Sequence, residues 1–216
     1  NLEKYQQYSR IARGLEKADL VLKDARIVNV FTEEIIRGDI AIQDGIIAGI
    51  GSFHGKEERD LAGRYVCPGF IDSHLHLEST LVTPAELVTA ASRHGTTTFI
   101  VDPHESANVS GLAGIDYILD QTEDVKANVY VMMPSCVPAT AIDDNGCTLT
   151  AEDMVPYLHN SRILGLGEVM DSISVVQGEK SMHDKLELFE GRIRDGHAPF
   201  LEEGDLQAYA MAGIAT

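Results

Sequence analysis

The hydrophobic and polar positions of the chain follow one pattern up to about residue 64 and a different pattern after it. Residues 1–18 are polar and helix-like and end near Gly14, and short β-type runs follow them. Asp44-Gly45 separates two of these runs, and this pair favours a type I′ turn because both residues tolerate positive φ. Residues 19–66 are therefore predicted to form a small antiparallel sheet assembly.

From Arg64 onward, apolar runs alternate with amphipathic helical stretches. The predicted strands are 65–76, 96–102, 127–133, 162–168 and 191–197, and the predicted helices are 84–94, 111–121, 151–160, 181–190 and 203–213. This alternation predicts right-handed βαβ units and a parallel sheet. Five units do not close an eight-stranded barrel, and the final AGIAT has the character of a strand beginning. The pattern fits either an open doubly wound sheet or the front part of a longer barrel.

Composition and charge narrow the possible partners and the compartment. The net charge of −17 argues against nucleic acid and anionic membranes, which need a basic surface. Three cysteines without a C-x-x-C pair form neither a disulfide framework nor a structural zinc site, and free thiols fit a reducing compartment. The chain has no signal-like segment and no apolar run of 18 residues, so a cytoplasmic location is expected.

Ionisable side chains collect where the predicted parallel strands end, which is where βα folds place their active sites. They are Asp72, His74, His76, Glu78, Asp102, His104, Glu105, Glu168, Asp195 and His197. His74 and His76 lie two residues apart, so their side chains point to the same face of the strand. Two neutral imidazoles in that arrangement suit a first-row metal ion. A pair of surface histidines is the alternative for His-x-His alone.

The other candidates have competing interpretations. Glu168 follows a buried-type strand, where an unpaired carboxylate is costly, so a metal ligand or an acid is favoured over a loop residue. For His197 the alternatives are a metal ligand and a loop histidine. For His104 and Glu105 they are contact with the substrate, support of the metal ligands, and a structural role in the loop. Cys136 is expected to be a packed thiol because no base is evident beside it. The remaining histidines are expected to be ordinary surface residues: His54, His94, His159 and His183.

Several motifs carry a resemblance to a known family. PGFIDSHLHLEST resembles the first barrel strand of the amidohydrolase superfamily, and ADLVLKDARIVNVFTEEIIRGDIAIQDGIIAGIG is similar to its N-terminal β-segment. IARG, HLHLEST, GTTTFIVDPHE, GLGEVM and DGHAP together resemble the adenine deaminase branch of that superfamily. His-x-His alone is a weak signal, but these motifs cover nearly the whole chain in order.

The resemblance implies a (β/α)8 TIM barrel of amidohydrolase type. Residues 67–216 would supply about the first five βα units, truncated before the sixth strand, and residues 1–66 an N-terminal helix and part of a small β-sandwich. The site would hold two divalent ions, Mn²⁺ or Fe²⁺, with Zn²⁺ as the alternative. His74 and His76 would bind one ion, Glu168 would bridge both, and His197 would bind the other. Relatives such as dihydroorotases use a carboxylated lysine as the bridge, whereas this strand tip offers a glutamate.

The implied reaction is hydrolytic deamination of adenine to hypoxanthine and ammonia in purine metabolism. Glu168, His104 and Glu105 would be catalytic, and Asp102 and His104 would contact adenine. The zinc deaminases with H-x-E and P-C-x-x-C are excluded because the chain has no C-x-x-C. The alternatives are an amidohydrolase acting on a cyclic amide or another aminated heterocycle, and a non-catalytic scaffold on this fold. A homo-oligomer is expected, and the 216 residues alone are expected to be inactive because later ligands of the family are missing.

Overall fold

A computed structural model describes residues 2–140 and 142–215, and the chain divides into two compact units between Pro68 and Gly69. Helix α1 (Leu2–Ala12) opens the first unit. It ends where Gly14 adopts a φ of +71° and the N–H groups of Gly14 and Leu15 donate to carbonyls of the last helical turn. A left-handed glycine of this kind is the usual end of a helix, because it has no Cβ to clash.

The first unit is otherwise a five-stranded sheet. Its strands are β1 (Ala18–Asn29), β2 (Glu34–Gln43), β3 (Ile46–Gly51), β4 (Gly55–Asp60) and β5 (Tyr65–Val66). Asp44 and Gly45 have φ values of 51° and 74° between β2 and β3, which confirms the predicted hairpin. The prediction that the whole assembly is antiparallel is wrong, since β4 and β5 pair parallel to β1. Apolar alternation indicates a strand but carries no information about its direction.

A partly buried ion pair joins β1 to β2. The Lys23 Nζ lies 2.5 Å from Asp39 Oδ2, and the Asp39 carboxylate also accepts from the backbone N–H groups of Asp24 and Phe53 at 3.0 and 3.1 Å. Burial disfavours the charged form of Asp39, but these donors outweigh it and lower the pKa of this carboxyl group.

The second unit is built on five parallel strands connected by helices. The strands are β6 (Phe70–Leu75), β7 (Thr96–Val101), β8 (Asn128–Pro134), β9 (Ile163–Val169) and β10 (Ile193–Gly196). The helices are α2 (Pro84–Ser92), α3 (His104–Ser110), α4 (Leu112–Gln121), α5 (Ala151–Met154), α6 (Ser172–Gln177), α7 (Lys180–Leu188) and α8 (Glu203–Met211). Every strand pairs with its neighbour in sequence, and every pair is parallel.

This strand order decides between the two architectures that the sequence left open. A doubly wound sheet reverses its order at a switch point, whereas β6 to β10 run in sequence without reversal. The described strands therefore form an arc of a (β/α) barrel, as the resemblance implied. The core lies between the strands and the helices and includes Phe99, Ile115, Met133, Leu166 and Phe189.

Two helices were missed by the sequence patterns. Helices α3 and α6 begin almost directly at the ends of β7 and β9 and are too short to show a clear apolar period. The predicted strand in AGIAT is absent as far as Ala215, and Thr216 lies outside the described residues. No helix in the part of the chain that the structure describes is long and apolar enough to cross a bilayer.

Candidate metal centre

Two imidazoles meet at the carboxyl end of β6. The Nε2 atoms of His74 and His76 lie 3.2 Å apart, so both rings converge on one point as their spacing predicted. The Nδ1 atom of His76 lies 2.8 Å from the carbonyl oxygen of Asp102, which can only accept, and therefore Nδ1 carries the proton. The Nδ1 atom of His74 faces Asp195 Oδ2 at 3.2 Å. These contacts leave the two Nε2 lone pairs pointing at the same space.

Glu168, at the end of β9, places its carboxylate against the same point. Its Oε1 lies 3.5 Å from His74 Nε2 and 3.6 Å from His197 Nδ1, and its Oε2 lies 3.2 Å from His76 Nε2. Glu168 has a φ of +25°, which is unfavourable for a residue with a side chain. Backbone strain of this kind persists where the surroundings enforce it, and it is concentrated at functional sites.

This donor set fits a divalent cation. The ligand atoms of His74, His76 and Glu168 all lie within 4.8 Å of one another. Two nitrogen ligands at about 2.0–2.1 Å from a tetrahedral ion are separated by about 3.3–3.4 Å, close to the 3.2 Å between the two Nε2 atoms. Burial lowers the pKa of His76, but the carboxylates of Glu105, Glu168 and Asp102 outweigh it and raise that pKa. The surroundings of His76 thus favour positive charge.

Asp102 and His104 form a buried pair behind these ligands. The His104 Nδ1 lies 2.6 Å from Asp102 Oδ1, and its Nε2 accepts from the Cys136 N–H at 3.3 Å, so His104 is neutral and both ring nitrogens are engaged. Burial raises the pKa of Asp102, and the hydrogen bond from His104 opposes it. Only 1% of Asp102 is exposed, and its Oδ2 has no hydrogen-bond partner among the residues that the structure describes. This placement argues against the predicted contact of Asp102 with substrate and for a supporting role under His76.

An open cavity of about 670 Å³ adjoins the centre. It is lined by His76, His104, Glu105, Asn108, Val109, Cys136, Ala139, Asp143, Asp144, Glu168, Met170 and His197. The Glu105 side chain is 55% exposed here, and its Oε2 lies 3.2 Å from His76 Nδ1. Beside it, burial raises the pKa of Glu78, and Glu105 adds to that rise. The exposed Glu105 carboxylate thus lies between the metal-binding residues and open space.

Other polar groups near the centre were not assigned a role by the sequence. Asp195 was noted at a strand tip, and the structure places it against His74. Ser135 is fully buried at the end of β8, and Tyr209 comes from α8, whose sequence carries no signal of a site. The Cys136 thiol is buried and accepts from the Asp171 N–H, and burial raises its pKa, which fits a packed thiol.

Residues 65–216 match the model of the amidohydrolase family. Since this match covers more than half of the chain, the chain belongs to the amidohydrolase family. A solved N-acyl-D-glutamate deacylase from Bordetella bronchiseptica, described as a complex with zinc and a phosphonate inhibitor, has the same fold. Its TM-score is 0.62 at 16% identity, over 93% of this chain and 50% of that one.

Among curated relatives, the chain is similar to proteins named adenine deaminase. It is 60% identical over 203 residues to that of Desulfitobacterium hafniense (strain Y51) and 49% identical over 207 residues to that of Clostridium acetobutylicum. It is 48% identical over 204 residues to adenine deaminase 2 of Carboxydothermus hydrogenoformans. These alignments cover 94%, 95% and 94% of this chain. The chain spans 36% of the length of each of these relatives.

Proposed function

We propose that the protein is a metal-dependent hydrolase that converts adenine and water into hypoxanthine and ammonia. The metal-dependent part is supported by one observation, the convergence of His74, His76 and His197 on the Glu168 carboxylate. The choice of adenine is supported by the relatives of that name, because the geometry of the centre would accept other aminated rings.

Four residues would hold the metal. His74 and His76 would bind one ion, His197 would bind a second, and Glu168 would bind both. A bound divalent ion supplies Lewis acidity and brings the pKa of water close to neutral. The chain prepares its own ligands for this task, since the Asp102 carbonyl and the Asp195 carboxylate keep the protons of His76 and His74 on Nδ1.

Glu105 would move the proton. The reaction forms a C–O bond at C6 of adenine, breaks the C6–N bond and transfers protons from water to the departing nitrogen. Glu105 lies at the wall of the cavity with its carboxylate in contact with His76, so it can accept a proton from water and pass it to the leaving group. His104 would support this site without reacting itself, because its Nε2 accepts a hydrogen bond from the backbone N–H of Cys136.

The metal assignment is tested by replacing two ligands. In the full natural polypeptide loaded with Mn²⁺, His74→Asn with His76→Asn should drop the metal content well below that of the parent. His159→Asn is the matched control, because His159 is an exposed histidine that precedes the start of β9, whereas Glu168 lies at the end of that strand. Elemental analysis measures the stoichiometry, and an unchanged metal content in the double variant would contradict the ligand assignment.

The substrate is tested by following ammonia. The Mn²⁺-loaded natural polypeptide should release ammonia from adenine and accumulate hypoxanthine, with little activity on adenosine. An enzyme that left adenine untouched but opened a cyclic amide would favour the second candidate, an amidohydrolase of another specificity. A protein that bound no metal and turned over neither substrate would favour a non-catalytic scaffold. The proposal includes two ions, Mn²⁺ or Fe²⁺ with Zn²⁺ as the alternative, a cytoplasmic location and a homo-oligomer.

A further inference from the structure

Two buried hydroxyl groups donate hydrogen bonds to the backbone of β9 at Glu168 and at the residue after it. The Ser135 Oγ donates to the carbonyl oxygen of Glu168 at 2.9 Å, and the Tyr209 hydroxyl donates to the carbonyl oxygen of Val169. Ser135 is 0% exposed and Tyr209 is 5% exposed, so water does not compete for these bonds. The residues come from different elements, the end of β8 and helix α8.

The two carbonyls that accept these bonds lie where the strand ladder becomes irregular. Pairing of β9 with β8 ends at Gly167, one residue before Glu168, and pairing with β10 shifts register between Arg194 and Gly196. Glu168 itself has a φ of +25°. A buried carbonyl without a partner is costly, and the two hydroxyls supply hydrogen-bond donors to these carbonyls where the ladder is irregular. They therefore favour the strained conformation over a relaxed strand.

The same hydroxyl network reaches a second metal-binding residue. The Tyr209 oxygen accepts from the His197 N–H at 3.1 Å, so one phenol joins the end of β9 to the loop after β10. Ser135 is held in turn by Lys185, which is 7% exposed and whose Nζ donates to the Ser135 carbonyl at 2.6 Å. The backbones carrying Glu168 and His197 are thus connected to α7 and α8 through buried side chains.

We propose that Ser135 and Tyr209 are positioning residues that aim Glu168 and His197 at the metal, with Lys185 anchoring Ser135. This inference rests on the proposed metal site. Loss of either hydroxyl should let the backbone of β9 relax toward negative φ and carry the Glu168 carboxylate away from the imidazoles. Since neither hydroxyl touches the metal or the substrate, the effect should appear in metal affinity before it appears in chemistry.

The test uses the full natural polypeptide with Ser135→Ala, Tyr209→Phe and a matched control, Tyr157→Phe. The Tyr157 hydroxyl donates to Asp116 Oδ1 at 2.7 Å, between the helix α4 and the turn after α5, and touches none of the four ligands. Mn²⁺ affinity is measured by competition with a fluorescent chelator, and the thermal midpoint of each metal-free protein is measured separately. Loss of a group that orients a metal ligand typically weakens affinity about 10- to 100-fold.

We expect that loss for Ser135→Ala and Tyr209→Phe, and an affinity within about twofold of the parent for Tyr157→Phe at a similar metal-free midpoint. A parent that binds no Mn²⁺ would refute the proposed function itself. A parent that binds Mn²⁺, with Ser135→Ala and Tyr209→Phe equally tight, would overturn the positioning role alone. An equal loss of affinity in Tyr157→Phe would also overturn it, because the loss would then reflect a less stable fold and not the orientation of the metal ligands. If one variant cannot be purified, the other decides by the same criterion.

Discussion

Replacement of Gly167 by alanine tests whether Asp102 supports His76. A Cβ at this position would lie 2.1 Å from Asp102 Oδ2, 2.8 Å from Asp102 Cγ and 2.9 Å from the Met132 Cβ. Ordinary contacts of a Cβ begin at 3.4 Å, so the Asp102 oxygen must move by about 1.3 Å for Gly167→Ala to reach ordinary contact. The φ of Gly167 is not in the left-handed region, so the backbone accepts alanine and the perturbation is purely steric.

The displaced carboxylate belongs to the residue that orients a metal ligand. The Asp102 Oδ1 is hydrogen-bonded to His104, and the Asp102 carbonyl oxygen accepts a hydrogen bond from His76 Nδ1. Movement of Asp102 therefore disturbs both histidines. Overpacking of a buried site costs about 1–3 kcal/mol, and each kcal/mol lowers the thermal midpoint by about 2–4 °C in a domain of this size. Mn²⁺ affinity should fall about 10- to 100-fold, as for other groups that orient a metal ligand.

The assay compares Gly167→Ala with Gly204→Ala in the full natural polypeptide. A Cβ at Gly204, in the first turn of α8, meets no atom within 4 Å. Alanine there should leave the Mn²⁺ affinity unchanged and the thermal midpoint equal or slightly higher, since alanine favours helix. If Gly167→Ala kept the affinity and midpoint of the parent, the packing of Asp102 against β9 would be wrong, and with it the support of His76.

Three further outcomes follow from the same contacts. Asp39→Asn should lower the free energy of unfolding by about 1–3 kcal/mol, since Lys23 and the backbone N–H groups of Asp24 and Phe53 lose a charged acceptor. Faster amide exchange in β1 and β2 would reveal this loss, and unchanged exchange would contradict it. The lowered pKa of Asp39 stabilises the fold above the unfolded value of about 3.9 and is lost as the pH falls through the lower folded value. The parent should therefore lose protection of β1 and β2 in acid more steeply than Asp39→Asn, with exchange corrected for intrinsic rates. Removal of metal by a chelator should lower the thermal midpoint. Mn²⁺ at about 100 times its dissociation constant should then raise the free energy of unfolding by about 2.7 kcal/mol. A thermal midpoint that changes with neither treatment would contradict metal binding to the folded state.

Local patterns were reliable wherever the deciding interactions are local. The turn at Asp44-Gly45 depends on the φ preferences of two residues, and it formed as predicted. The convergence of His74 and His76 depends on the two-residue period of a strand, and their Nε2 atoms meet at 3.2 Å. The alternation of apolar runs and amphipathic helices after Arg64 likewise predicted β6 to β10, with boundaries within a few residues except for the first strand, whose predicted start falls in β5.

Tertiary structure decided what depends on residues distant in the chain. The direction of β4 and β5 and the sequential order of β6 to β10 depend on how connections cross the sheets, which no window of sequence records. The family resemblance implied that Asp102 contacts the substrate, yet the neighbouring Gly167 leaves room for its carboxylate to be buried. The Tyr209 hydroxyl reaches Val169 from 40 residues away. The sequence alone thus determined which side chains gather at the strand tips, through local periodicity, while the burial and orientation of those side chains were decided by packing between elements far apart in the chain.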